Sequence, residues 1–444
     1  MTDLAKRAEK YRELIIDAQN YIWQNPETGY REWKTTKYLE EQYEKLGYTL
    51  NKAGDIPGFT AEIDTGKEGP TLLILGELDS LICPNHPDAD KKTGAVHCCG
   101  HSAQSAALLG VAAALSEKDA LEGLCGKIRL CAVPAEELIE IEYRNSLIKK
   151  GTIKYYGGKG EFLRRGFFDG VDLAFMVHTS TNSAVRGGSV GCRAKKISYK
   201  GVSAHAGGSP WNGVNALYAA SNGLSAANAM RETFAESDLI RFHPIITHGG
   251  EAVNAIPELV TIEAYVRGRT FEAIEKANTK INRALVGAAL SIGAKIEIDD
   301  MPGYSPLVND TGMVEMCRDA YHSAFPGEEF GCTDHIGTGS TDMGDLAMIM
   351  PAVHPYCGGA KGTSHGMDYY IADPEKACVG SAMWQLEMIY TLLSNGASRA
   401  KKIIADFEPT FKSKKEFLAY LDSVELHGDR IIYNENGSAD VSWR

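Results

Sequence analysis

Three short apolar runs, each closing on polar residues, constrain this chain more than any other feature. The run 71-TLLILG-76 leads into 77-ELDSL-81, 127-KIRLCAV-133 into 134-PAEEL-138, and 171-VDLAFMV-177 into His178. Runs of this length, rich in Leu, Ile and Val and bounded by Gly or Pro, read as buried strands. After the first lies 99-CGHSAQSAALLGVAAAL-115, small and apolar on every side, which reads as a close-packed helix. Strands alternating with helices indicate an α/β fold with a mixed, largely parallel sheet covered on both faces. Sheets of this kind gather ligands in the loops beyond their strand ends.

The pattern changes near residue 186. The stretch 186–210 is Gly-rich and strand-like. An Ala-rich helix follows (214–230), then strands at 244–250 and 259–268, a helix over 271–292 and a strand at 295–299. This β-α-β-β-α-β order is that of a ferredoxin-like α+β unit. The expected organisation is a catalytic domain in two parts, 1–186 and 303–444, interrupted by an inserted lid or dimerisation domain at 187–302. Two helices are expected within 3–47, and 400–444 reads as a peripheral appendage.

Composition removes several function classes. The 444 residues carry a net charge of −12 and no basic run, which argues against nucleic-acid binding. No apolar stretch is long enough to span a membrane. The amphipathic N-terminus lacks the apolar core of a signal peptide, so a cytoplasmic location is expected. The ten cysteines show no framework spacing and are expected to be free thiols. The vicinal pair Cys98-Cys99 is open to a redox reading, although adjacent cysteines rarely make a relaxed disulfide.

The chemistry-bearing residues form one set. Cys99 and His101 sit just before or at the start of a helix, Glu136-Glu137 follow a strand, His178 ends the next, and His365 lies in 362-GTSHGMDY-369. A thiolate, imidazoles and a carboxylate are the ligands of a transition-metal hydrolase, which leaves one carboxylate of the Glu-Glu pair free as a base. Each residue also has a bland reading. His101 could be an ordinary helix-start residue, Glu136-Glu137 an exposed acidic loop, His205 a satisfied core histidine, and His354 a competitor of His365. Asp342 reads equally as a support residue or a helix cap.

Eight motifs in order, from GELDSL through CGHS, PAEE, the VH at 177–178, GVSAHAGGSP, GGEAVNAIP and GSTDMGD to the TSH at 363–365, carry a resemblance. The chain resembles the aminoacylase/carboxypeptidase-type dinuclear metallopeptidases. Within them it looks nearest to the amidohydrolase subgroup of p-aminobenzoyl-glutamate hydrolase, its B subunit in particular. The resemblance implies that Cys99, His101, Glu137, His178 and His365 hold two divalent ions, Zn²⁺ or Mn²⁺, and that Glu136 is the general base. It implies that His205 reaches the scissile carbonyl, usually across a dimer interface, and that Asn254 and Arg267 contact the substrate. Asp79 is expected behind the ligands, orienting a histidine through its second ring nitrogen. One departure stands out. The auxin-conjugate hydrolases, the other type in this amidohydrolase subgroup, carry the pattern CGHDxH. Here 99-CGHSAQ-104 replaces it, which puts that type's substrate preference in doubt.

The expected function is therefore cleavage of the amide of an N-acyl or N-aroyl amino acid by a homodimer. A dipeptidase of the same fold, one subunit of a hetero-oligomer and a non-enzymatic metal-binding homologue are the alternatives.

Overall fold

Strand burial explains the main sheet of the computed structural model, which describes residues 1–444. Helices α1 (Arg12–Gln24) and α2 (Trp33–Lys45) precede strands β1 (Leu50–Lys52), β2 (Phe59–Asp64) and β3 (Thr71–Glu77). Helix α3 (His101–Leu115), β4 (Lys127–Val133) and β5 (Leu173–Phe175) follow. The six-stranded order is β1-β2-β4-β3-β5 with Ala352–Val353 at the far edge. The four strands from β4 onward are parallel, while the β1–β2 and β2–β4 pairs are antiparallel. Every residue of β3 is buried. Leu72 and Ile74 enter one apolar cluster, Leu73 and Leu75 the cluster on the opposite face. A period of two with both faces apolar is what a strand covered by helices on each side requires. Helix α3 is buried along its whole length. Gly110 lets it approach α1, since a Cβ there would come within 2.5 Å of the Ile15 side chain.

The inserted segment forms a separate four-stranded antiparallel sheet. It is built from β6 (Gly191–Lys200), helix α4 (Ala216–Ala229), β7 (Arg241–His248), β8 (Leu259–Gly268), helix α5 (Phe271–Ile292) and β9 (Lys295–Tyr304). The order is β7-β8-β6-β9, with both helices packed on one face. Strand β8 alternates buried and accessible residues along its length, the pattern of a half-covered sheet. Helix α5 begins where the Thr270 hydroxyl accepts from the Ala273 N–H at 3.1 Å, and it ends at Gly293 with φ 78°.

The C-terminal segment is not peripheral. Phe417 and Leu421 of helix α6 (Lys414–Ser423) are buried in the main-domain cluster formed on β3 and β4. The chain then crosses to the inserted sheet. Leu426 exchanges backbone hydrogen bonds with Asp300, and the Arg430 N–H donates to the Ile296 carbonyl at 2.8 Å. Ile431 is buried in the core of the inserted domain. The tail thereby covers the open edge of β9, while the edge of β7 stays uncovered. No helix is long and apolar enough to cross a membrane, and all ten cysteines are free thiols.

Candidate metal centre and active site

The carboxyl ends of the parallel strands converge on one polar cluster. Glu77 closes β3, Glu136 and Glu137 follow β4, and His178 follows β5. Cys99 and His101 arrive from the loop that opens α3, where Gly100 has φ 94°. His365 comes from the 362–370 loop, its N–H bonded to the Cys98 carbonyl at 3.0 Å. Ala135 adopts φ 58°, a conformation strained for a side chain with a Cβ. It is held there by the buried Glu32, whose carboxylate accepts the Ala135 N–H at 2.7 Å, and Arg144 donates to the Glu137 carbonyl oxygen. The turn aims both glutamates into the cleft.

Two three-donor sets share one sulfur. Cys99, His101 and His178 form the first and Cys99, Glu137 and His365 the second, with donor atoms inside each set no more than 4.8 Å apart. His178 Nε2 lies 3.6 Å and His365 Nε2 3.4 Å from Cys99 Sγ, and His365 Nε2 lies 3.2 Å from Glu137 Oε1. His101 Nε2 and Glu137 Oε1 are buried without a hydrogen bond. Glu77 Oε2 and His365 Nε2 approach them to 3.2 Å, and buried polar atoms left without an aligned partner are costly unless something else satisfies them. A thiolate, three imidazoles and a carboxylate in this arrangement fit a pair of divalent transition ions. The supporting contacts fit as well: His101 Nδ1 donates to the Asp79 carbonyl at 2.8 Å, and the Asp79 carboxylate accepts the Glu137 N–H at 2.7 Å. Asp79 thus fixes the tautomer of His101 and the backbone of Glu137, the support that metal-ligating side chains need.

Electrostatics point the same way. Burial and the neighbouring Glu137 push the Cys99 thiol up, but the imidazoles of His101 and His178 outweigh them and bring it to about 6. The Glu137 carboxylate raises His365 to about 11. Metal ligation requires neutral imidazoles and a thiolate, so a cation bound here would compete with these protons. Glu136 is different. Burial, then Glu77 and Glu137, push its carboxyl well above the ordinary range, and its Oε2 stands 3.8 Å from His101 Nε2.

The cluster floors a cavity of about 480 Å³, whose walls include Tyr265 and Arg267 of β8, Tyr304, Ser340, Arg186, Tyr356 and His354. Arg267 donates to Ser340 Oγ at 3.2 Å, so this residue reaches from the inserted domain into the cleft. His205 and Asn254 do not line the cavity. They sit side by side on the exposed surface of the inserted domain, where the Ala206 N–H donates to the Asn254 carbonyl at 2.9 Å. His354 is packed beside His178, with ring centroids 5.5 Å apart, and lies outside both donor sets.

Several supporting residues escape a reading by motif. Buried Lys159 bridges Glu77 and Asp342, and Glu77 Oε2 lies 3.2 Å from His101 Nε2. Asp342, open between support and cap, is an ion-pair partner, and its side chain makes no capping bond to the helix it precedes. Gln104 stands where the related pattern carries an imidazole, and it donates to Glu77 at 3.1 Å. A lysine 82 residues from its carboxylate partner leaves no local signature.

Comparison with known proteins supports the same assignment. Mouse Xaa-Arg dipeptidase is 27% identical over 443 residues, which cover 95% of this chain and 93% of that protein. An aminohydrolase from methicillin-resistant Staphylococcus aureus superposes with a TM-score of 0.67 at 24% identity, covering 87% of this chain and 98% of the other. The aminobenzoyl-glutamate utilization protein of Klebsiella pneumoniae superposes at 0.65 with 19% identity, covering 88% and 98%. The family model of peptidase family M20/M25/M40 matches residues 73–387, from strand β3 to beyond the last donor loop; the chain belongs to that family and is a metal-dependent enzyme of its amidohydrolase and peptidase type.

Proposed function

We propose that this enzyme hydrolyses the amide of N-acyl or N-aroyl amino acids of the p-aminobenzoyl-glutamate type. The observation that carries the reading is the Cys99 sulfur shared by two donor sets, with the Glu136 carboxylate beside them, grouped with Glu77 and His101. Two ions, Zn²⁺ or Mn²⁺, are expected in the sets Cys99/His101/His178 and Cys99/Glu137/His365. When bound, they supply Lewis acidity for the carbonyl and an acidified water. Glu136 takes the proton of the attacking water and returns it to the departing amine nitrogen. The Tyr304 hydroxyl donates to the Glu136 carbonyl and holds that backbone in place. Arg267 binds the carboxylate of the amino-acid half.

The working form is a homodimer. The inserted domain leaves the β7 edge unpaired and exposes Trp211 (78%), Val253 (103%), Tyr218 (64%) and Ile245 (63%). Apolar exposure around an open sheet edge favours burial against a second copy. His205 and Asn254 share this face, from which they would act on the substrate carbonyl of the second copy. A cytoplasmic location is part of the same proposal.

A dipeptidase is the second reading, favoured by the end-to-end match to the mouse dipeptidase. A hydrolysis screen separates the two. Metal-loaded enzyme is incubated with p-aminobenzoyl-glutamate, N-acyl amino acids and dipeptides, with Glu136→Gln as blank. Release of aromatic or acyl acid by the parent enzyme alone supports the first reading; cleavage confined to dipeptides replaces it with the second.

A further inference from the structure

Two guanidinium groups face the cavity, and neither has a carboxylate partner. Arg267 is bonded only to neutral groups, His243 Nε2 at 3.0 Å and Ser340 Oγ at 3.2 Å. Arg186 lies over the Tyr356 ring, 5.3 Å from its centroid. That ring in turn packs 5.7 Å from the imidazole of His178. The guanidinium of Arg186 is therefore one aromatic ring away from a metal donor, within the reach of an amino-acid side chain. The segment 337–341 touches both arginines. Its Ser340 holds Arg267, and a Cβ on Gly337 would come within 3.3 Å of Arg186 Nη1. The bare glycine leaves the guanidinium room to lie along the wall.

The cavity holds no counter-charge for them. Its only acidic side chains are Glu136 and Glu137, both committed to the metal cluster and its chemistry. Unpaired cations in a cleft focus a field that favours an anionic ligand and disfavours a cationic one. A planar guanidinium recognises a carboxylate through two parallel hydrogen bonds. One carboxylate satisfies Arg267, so Arg186 is left for another.

We propose that Arg186 reads a second carboxylate, on the side chain of the amine half, so that the site selects N-acylated acidic amino acids. The inference rests on the amidohydrolase reading for its substrate backbone. Amines with an arginine or lysine side chain are disfavoured, because they would bring a third cation against two. In this the chain parts from the dipeptidase to which it is similar.

The test compares benzoyl-glutamate, benzoyl-glutamine, benzoyl-leucine and benzoyl-arginine, which differ only at the side-chain end. Parent enzyme, Arg186→Gln and Arg186→Glu are assayed with Mn²⁺. Arg186 is exposed, so neither change threatens folding. The parent should prefer glutamate. Arg186→Gln should lower kcat/KM for glutamate by roughly ten- to a hundredfold, the scale of a charge-assisted hydrogen bond, and leave glutamine unchanged. Arg186→Glu should move the preference toward arginine. A parent that prefers leucine or arginine, or a Gln variant that keeps the glutamate preference, overturns the inference while the amidohydrolase reading stands. If no amide is cleaved, that reading fails, and calorimetry with free glutamate and glutamine decides this one. Tighter glutamate binding that is lost in Arg186→Gln supports it, and equal binding overturns it.

Discussion

Lys159 Nζ lies 2.5 Å from Glu77 Oε1, both side chains being completely buried behind His101. The same ammonium also contacts the buried Asp342. Desolvation alone would drive the lysine toward neutrality, but Asp342 and Glu77 outweigh it and hold its pKa above the ordinary value. Lys159→Met leaves the buried Glu77 and Asp342 carboxylates without their shared ammonium. Removing one partner of a buried ion pair costs about 3–5 kcal/mol. Urea unfolding should show a loss of this size, and Glu77→Gln in the same background should recover part of it. A Met variant as stable as the parent would remove the ammonium from any structural role.

The shared sulfur predicts unequal losses of metal. Cys99 belongs to both donor sets, whereas His365 belongs to one. Cys99→Ala should therefore empty both positions, and His365→Ala should spare the ion held by His101 and His178. Metal analysis of dialysed protein reads the difference directly. Equal stoichiometry in the two variants contradicts a bridging sulfur.

How far the fold is legible in the sequence depends on the range of the contact involved. Strand β8 and helix α5 occupy the residues expected of them, because a period of two and a period of 3.6 are local signals, here bounded by Gly268, Thr270 and Gly293. The convergence of Cys99, His101, Glu137, His178 and His365 is also legible, since each sits at a strand end or loop with its own motif. The Lys159–Glu77–Asp342 link is not, as its members are chemically ordinary and far apart in sequence. His205 and Asn254 carry motifs as clear as any, yet one chain alone places them on an exposed face. The docking of the tail is hidden because Leu426–Arg430 is too short and polar to read as a strand until the edge of β9 is known.

Burial of Ile431 tests the tail's role in the inserted domain. The residue is 1% exposed, within the core that β6, β8 and α5 build. Truncating a buried isoleucine to alanine costs about 2–5 kcal/mol through lost transfer energy and the cavity left behind. Ile431→Ala should lower the unfolding midpoint accordingly, and Ile432→Ala, at 60% exposure, should not. If both changes are neutral, the tail's docking contributes nothing to stability.

Asp345 gives the stability a pH dependence that can be isolated. Its carboxylate is buried beside Gly160 and accepts the Ser305 N–H at 3.0 Å. Burial raises its pKa from 3.8 to about 7; Ser305 and Lys159 oppose the rise, and Asp342 adds to it. The folded state thus binds this proton more tightly than the unfolded chain does. The contribution to stability is complete below about pH 4, is lost as the pH rises through 7, and stays lost above it. In Asp345→Asn the side-chain amide cannot ionise and keeps an oxygen for Ser305. The stability of this variant relative to the parent should therefore improve steadily between pH 4 and 7. One proton's difference between the two states is worth about 1.4 kcal/mol for each step of one in pH, so the gain amounts to a few kcal/mol. Above about pH 7.5 the difference should level off. Denaturant curves for both proteins across this pH range measure it, and a difference independent of pH means that the carboxyl titrates in its ordinary range.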